Sequence, residues 1–449
     1  MNLTYGIKDR PAFGQTVLFA LQQLLAIMAA TIAVPAIIGN GMSQTAALFG
    51  AGVGTIVYLL FTKFRSPVFL GSSFAFLGSM ATAFAGAVSM EAGYIGLVIG
   101  ALFAGLVYVV LAIVVKSCGV GWIDKLMPAV VIGPTVAIIG LSLAGNAVGD
   151  LTGTSGAVAG GASTYVCMIC GLVTLAVTML CSVFGKRMLR LIPFIIGILA
   201  GYAVAAIFTV IGLIANAPAL QIIDFSLFKS MTWVPDFTFI TAAKGIGQLD
   251  AGYVATIAVA YVPVAFVVFA EHIADHKNLS TIVGVDLLDD PGLHRTLLGD
   301  GIGSFAGAIF GGCPNTTYGE SIGCVAISGN ASVVTILYTA ILAMLISFFG
   351  PFATFLATIP SCVMGGVCIA LYGFIAVSGL KMIQHVDLNK NRNLFVVSVI
   401  LIAGVGGMSV SFGSVTITEV ACALILGILT NVLLRNEDMT EDKPQQIIK

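Results

Sequence analysis

Charge is what this chain has least of. Asp, Glu, Lys and Arg make up 9 % of its 449 residues, against roughly 25 % in an ordinary soluble domain. The 19 basic and 20 acidic side chains leave a net charge of −1, so no bulk attraction draws a charged partner to it. Nucleic acid is excluded on that ground, and disorder is excluded because apolar residues dominate. Cysteine is present but without a framework: nine residues are scattered through apolar runs. Cys167 and Cys170 form a C-x-x-C inside the uninterrupted apolar stretch from Tyr165 to Phe184. No His or further Cys stands at zinc spacing from them, so they read as thiols that fill a helix.

What is abundant is apolar. Hydrophobic residues reach 59 %, glycine 53 residues, and the mean hydropathy +1.08. That composition belongs to a polytopic membrane protein rather than to a soluble enzyme. A bilayer core needs about 20 apolar residues per helix, and candidate spans run over 13–38, 44–62, 66–88, 92–115, 127–147, 164–184 and 188–213. Seven more follow at 251–271, 298–312, 313–328, 331–350, 352–378, 393–411 and 417–434. Lys8 and Arg10 precede a first run, Phe13 to Ile38, that is too long for the core of a cleavable signal. With the N-terminus in the cytoplasm, fourteen spans put every basic residue except Lys229 and Lys244 on the inner side. A missed or surplus span would flip each later loop and destroy that agreement.

The spans divide into halves. Met127-Pro-Ala-Val-Val-Ile-Gly133 matches Ile359-Pro-Ser-Cys-Val-Met-Gly365 at Pro128 and Pro360, Val131 and Val363, Gly133 and Gly365. These are the fifth spans of two seven-span halves, and an odd number forces opposite orientation in the membrane. The third spans also correspond. One contains Gly71-Ser-Ser-Phe-Ala-Phe76 and the other Pro314-Asn-Thr-Thr-Tyr-Gly-Glu320. Hydroxyls and glycines in such places predict short extended stretches buried in protein, since unpaired backbone is costly in lipid. A helix that starts after such a stretch aims free N–H groups at a polar ligand.

Among the carboxylates, Glu271 and Glu320 stand out as lying within the spans. An intramembrane carboxylate costs some kcal/mol and marks a ligand or proton site. His272, Asp275 and His276 follow Glu271. They read as a polar network at the inner mouth, because no third neutral ligand accompanies the two histidines. Asp286, Asp289, Asp290, His294 and Arg295 read as a capped, solvated loop, and Glu419 opens the last span at an interface.

The strings Ala270-Glu-His-Ile-Ala-Asp-His276, Asp290-Pro-Gly-Leu-His-Arg295 and Pro314-Asn-Thr-Thr-Tyr-Gly-Glu-Ser-Ile-Gly323 resemble the nucleobase–ascorbate transporter family. The last is most similar to its bacterial uracil permease branch. Leu70-Gly-Ser-Ser-Phe-Ala-Phe76 and Ala29-Ala-Thr-Ile-Ala-Val-Pro35 add to the resemblance, which runs from about residue 10 to 434. It implies a seven-plus-seven inverted repeat divided into a core (spans one to four and eight to eleven) and a gate (five to seven and twelve to fourteen). Carried over by position, Glu271 and Glu320 hydrogen-bond the base, and the backbone N–H groups of Phe74 and Gly319 meet its carbonyls. Ala30 and the Phe74 ring line the pocket, Tyr372 approaches from the gate, and Ser73 joins the polar network. Proton coupling falls on Glu320, Glu271, Asp275 or His276. Two departures from the family's pattern bear on that route: Gln23 stands where His is frequent, and Asp275 where one uracil-permease pattern has His.

The expectation is therefore an all-α membrane protein of fourteen segments, with short strands in segments 3 and 10. Residues 1–12 form a cytoplasmic N-terminus and 13–213 the first repeat. Residues 214–250 form an extracytoplasmic connection, 251–434 the second repeat and 435–449 a cytoplasmic tail. The function expected is proton-coupled uracil symport in a bacterial cytoplasmic membrane. No cofactor or metal is called for, the partners are uracil, protons and lipid, and a homodimer is left open. A purine permease such as one for xanthine is the nearest alternative. An anion transporter wants a basic residue near the broken spans, where none stands, and an enzyme wants a nucleophile–base pair that the spans do not offer.

Overall fold

The computed structural model describes residues 3–119, 128–153, 162–186, 188–384, 386–412 and 415–434. Lys125, Met127, Arg187, Arg435 and the tail 435–449 lie outside the described residues.

The apolar runs fold as helices whose ends are set by local chemistry. The first half comprises α1 (Phe13–Ile38), α2 (Gln44–Phe61), β1 (Leu70–Ser72), α3 (Leu77–Ala85), α4 (Met90–Cys118), α5 (Ala129–Ser142), α6 (Ala144–Thr152), α7 (Thr164–Phe184) and α8 (Pro193–Ile214). The second comprises α9 (Ala251–Val283), α10 (Leu293–Gly311), β2 (Asn315–Thr317), α11 (Gly319–Ser328), α12 (Val333–Ile346) and α13 (Gly350–Ala357). It continues through α14 (Ser361–Ile383), α15 (Asn391–Val405), β3 (Val410–Phe412), β4 (Val415–Ile417) and α16 (Glu419–Leu433). Ser43, Ser89 and Asp250 cap α2, α4 and α9 by accepting a hydrogen bond from a first-turn N–H. Among the described residues eight helices are long and apolar enough to cross a membrane, or nine if the bent pair α12–α13 counts as one. Ile207, Ile211 and Ile214 of α8 are exposed, as is Val110 of α4. Apolar side chains in such numbers on a surface suit lipid and not water.

Several boundaries differ from the sequence reading. Helix α9 does not stop at residue 271 but runs on to Val283. Asp275 and His276 therefore sit on a helix, whose polar groups bond to α2 and β2 instead of to solvent. The span expected at 352–378 is shifted. Helix α13 bends from α12 by 81°, and the chain restarts as α14 after Pro360, because the residue before a proline is driven out of helical backbone. Pro128 stands at the same place before α5. The span expected at 393–411 ends at Val405, and the β3–β4 pair that follows was not foreseen.

Packing sorts the helices into two groups. In one, α2 and α4 lie along α10, α12 lies along α1 and α2, and α9 lies along α4. In the other, α14 packs on α5, α6 and α7, α8 on α7, and α15 on α5 and α16. Glycines bring the central pairs close. A Cβ on Gly54 would meet the Gly303 carbonyl oxygen at 2.7 Å, and one on Gly303 would meet that of Gly54 at 2.6 Å. Gly133 and Gly379 stand in the same reciprocal relation across α5 and α14, at 2.9 and 2.5 Å.

Candidate functional site

The two short strands meet at the centre of the first group. They pair antiparallel, with Leu70 opposite Thr317, Gly71 opposite Thr316 and Ser72 opposite Asn315. Their remaining backbone groups are taken up by neighbours, as burial in a membrane requires. Leu70 N–H donates to Thr55 Oγ1 at 2.9 Å and Asn315 N–H to Ser304 Oγ at 2.9 Å. Phe69 N–H donates to Ser321 Oγ at 3.0 Å. Gln23 holds the same serine from α1, its Nε2 donating to Ser321 Oγ at 2.5 Å. Gly71 is required here, because a Cβ would sit 2.3 Å from the Tyr318 ring. The Tyr318 hydroxyl in turn donates to the Ser72 carbonyl at 2.7 Å.

Each strand runs into the start of a helix. After β1 comes a turn of 3-10 helix, Phe74–Phe76, and then α3; after β2 comes α11 at Gly319. The first N–H groups of a helix have no internal partner, so two sets of free donors face each other across the strand pair. Between them lies a cavity of about 50 Å³ bordered by Ser73, Phe74, Glu271, Thr316, Gly319 and Glu320. Ile139, Leu371 and Ile375 close it from the second group of helices. Glu271 makes no hydrogen bond to another described residue, and Glu320 bonds only its own backbone N–H. Ser73 Oγ and Thr316 Oγ1 are buried there without partners. Among the described residues no lysine or arginine borders the cavity.

Five residues singled out from the sequence therefore converge: Glu271, Glu320, Gly319, Phe74 and Ser73. Tyr372 stands behind this wall, its ring edge-on to Phe74 with centroids 5.9 Å apart. Ala30 is fully buried in α1 outside the lining. Asp275 lies one turn beyond Glu271 and accepts a hydrogen bond from Thr317 Oγ1 at 2.8 Å, which ties β2 to α9.

His276 is elsewhere. Its Nδ1 donates to the His272 carbonyl at 2.8 Å, and its Nε2 lies 2.7 Å from the Tyr58 hydroxyl, which also bonds Ser66 Oγ at 2.7 Å. His272 Nδ1 pairs with Asp300 Oδ2 at 2.7 Å, and its Nε2 bonds Thr296 Oγ1 at 3.0 Å. The two imidazoles lie 4.1 Å apart, both fully buried. This network fastens α9 to α2 and α10.

Such an arrangement can bind a small planar molecule that has N–H donors beside carbonyl acceptors. The carboxylates accept, the helix-start N–H groups donate, and the Phe74 ring covers a face. Comparison with known proteins points the same way. The sequence profile of the Permease family, that of the nucleobase–ascorbate transporters, matches residues 14–412. The chain belongs to this family. It is a transporter and not an enzyme. It is 39 % identical over 434 residues to the uracil permease of Bacillus caldolyticus, covering 95 % of this chain and 94 % of that one. To the uracil permease of Escherichia coli K12 it is 36 % identical over 432 residues, covering 96 % and 94 %. Its fold is shared with the transmembrane domain of the cyanobacterial bicarbonate transporter BicA, at a TM-score of 0.61 and 16 % identity, over 96 % of this chain and 100 % of that one.

Sequence reading of this permease missed Asp300. It was passed over in a span rich in glycine, yet it is 1 % exposed and carries the buried pair with His272. A signal was there: Gly299-Asp-Gly301 places a carboxylate where small residues let α2 and α4 approach α10. Tyr58, Thr317 and Ser321 were missed for a different reason. Nothing in their local sequence marks a partner that lies 218, 42 or 298 residues away.

Proposed function

We propose that this permease carries uracil into a bacterial cell together with a proton, by alternating access, through the cytoplasmic membrane. The observation that carries this reading is the central cavity, where two unpaired carboxylates and two helix starts face one another with no basic side chain. Uracil is neutral, planar and flanked by N–H and carbonyl groups. Glu271 and Glu320 accept its N–H bonds, and the N–H groups of Phe74 and Gly319 donate to its carbonyls. Leaving such buried groups unpaired costs about 1–3 kcal/mol each, which supplies selectivity.

The same reading takes the chain as fourteen spans with the termini inside, in repeats 13–213 and 251–434, with 214–250 outside. Support comes from the strand pair, from the glycine contacts between second and ninth spans and fifth and twelfth, and from the matched prolines before α5 and α14. The two packing groups are the core and the gate, and the cavity between them is opened alternately as one moves on the other. Glu271 and Glu320 border one cavity and Asp275 lies one turn beyond Glu271, with no lysine or arginine among the described residues that line it. Gathered so closely they repel one another unless some carry protons, so a proton that leaves with the inward step can couple transport to the membrane potential. One proton moving down about 100 mV contributes about 2.3 kcal/mol, or roughly fifty-fold accumulation.

Uptake of radiolabelled uracil in cells without their own carrier tests this. Uracil and 5-substituted analogues are expected to compete and xanthine is not; a purine that inhibits as strongly as uracil would move the assignment to the purine branch. Uptake that ignores a proton ionophore would remove the coupling.

A further inference from the structure

The central cavity does not end at Phe74. With Phe74, Ala75 and Ile139 it shares a wall with a throat of about 10 Å³. Gly78, Ser142, Leu143 and Glu419 in turn belong both to that throat and to a vestibule of about 690 Å³. The throat admits about one water, whereas the vestibule holds many, so the three form a route with one narrow point. It runs between α3 and α5 and beneath the start of α16.

Two residues at that start are arranged unusually. Thr418 stands at the N-cap of α16, where a threonine ordinarily accepts a hydrogen bond from the N–H of the second or third helical residue. Here the side chain makes no capping bond. Its Oγ1 is buried and without a partner, the residue is 6 % exposed, and it borders the throat. Glu419, the next residue, reaches across toward α3: a methyl group on Gly78 would lie 3.7 Å from its Oε1. Among the described residues no lysine or arginine borders the throat, the vestibule or the central cavity.

A hydroxyl that is buried, and has forgone its capping bond, is set to pair with a visitor. We propose that Thr418 and Glu419 form an outer station, which holds a neutral nucleobase by its polar edge before it passes Phe74 into the central cavity. The carboxylate accepts an N–H, the hydroxyl donates to the adjoining carbonyl, and the negative charge turns anions away. This rests on the nucleobase reading above and on the vestibule facing outward. The station acts on the rate of arrival and not on the depth of the final site, so it is separable from Glu271 and Glu320.

The test is kinetic. In purified Thr418→Val and Glu419→Gln proteins, the association rate of uracil followed by stopped flow is expected to fall three- to ten-fold. Equilibrium affinity in detergent stays within two-fold of wild type. Affinity that falls as far as the rate would place both residues in the support of the central site and overturn the station; so would rates equal to wild type. As a second measurement, Gly78→Cys in intact cells is treated with a small impermeant methanethiosulfonate, with wild type as the control for native thiols. Uptake should be blocked, and uracil should slow the block; a variant that the reagent leaves untouched, or on which uracil has no effect, overturns the route. A wild-type protein that binds no uracil overturns the substrate assignment and the station with it. A wild type that binds uracil beside variants of unchanged rate overturns the station alone.

Discussion

Neighbouring residues on α9 meet opposite fates. Successive side chains on a helix point about 100° apart, so Glu271 and Asp275 share one face while His272 and His276 share the next. On the histidine face every ring nitrogen has a partner within 3.0 Å, and the groups are fully buried. On the acidic face Asp275 holds a single bond from Thr317 and Glu271 holds none from another residue. The histidine face is closed off and fully bonded; the acidic face is half-buried and has few bonds. Native structures leave few enclosed polar groups unpaired, so the face that is left wanting is the one proposed above to take the ligand. The histidine face is a fastening.

That contrast can be broken most severely from the fastened side. Asp300→Ala leaves His272 facing an empty position, and breaking a buried pair costs about 3–5 kcal/mol. A large fall in thermal stability and in yield of folded protein is expected, by fluorescence-detected size exclusion across temperature. A variant as stable as wild type would show that the pair does not hold the fold. Glu271→Ala should do the reverse: uracil affinity in detergent falls at least a hundred-fold, about 2.7 kcal/mol, while thermal stability stays near wild type. Unchanged binding would remove Glu271 from the site.

Glu320→Gln addresses the proton. Fixing the protonated shape should keep much of the binding across pH but abolish the roughly fifty-fold uphill accumulation, leaving exchange of internal for external uracil in vesicles. Accumulation that still follows an imposed pH gradient would pass the coupling role to Asp275, to be examined as Asp275→Asn in the same assay. The smallest change is Thr317→Val, which deletes the one bond to Asp275. A loss of about 1 kcal/mol, near five-fold in affinity, is expected; none at all would mean that Asp275 needs no anchoring.

Much of this plan was legible in the amino-acid order, because lipid punishes polarity and so makes each exception visible. Glu271, Glu320 and the hydroxyl-rich strings of β1 and β2 stood out against apolar sequence, and they converge on one cavity. Span limits were legible where glycine punctuates, as at Gly39, and less so elsewhere: the span expected from 352 to 378 ran through Pro360, after which α14 restarts. The extension of α9 to Val283 was hidden, since its polar last turns read as loop until Tyr58 and Thr317 are known to meet them. Asp300 was hidden by its glycine neighbours. The station at Thr418 could not be read at all: a threonine before a helix looks like a cap, and only the direction of its side chain says otherwise.

The strand pair also sets a timetable. β2 is made roughly 240 residues after β1, and at about 5–20 residues per second the ribosome needs some 12–50 s to supply it. Until then the edge of β1 has no strand to pair with, in surroundings where each unpaired backbone group costs several kcal/mol. The first half of the newborn permease therefore cannot settle when its own helices are complete. It must be kept wet or sheltered by the insertion machinery until β2 has been made, and the moment of greatest vulnerability to quality-control proteases falls in that interval.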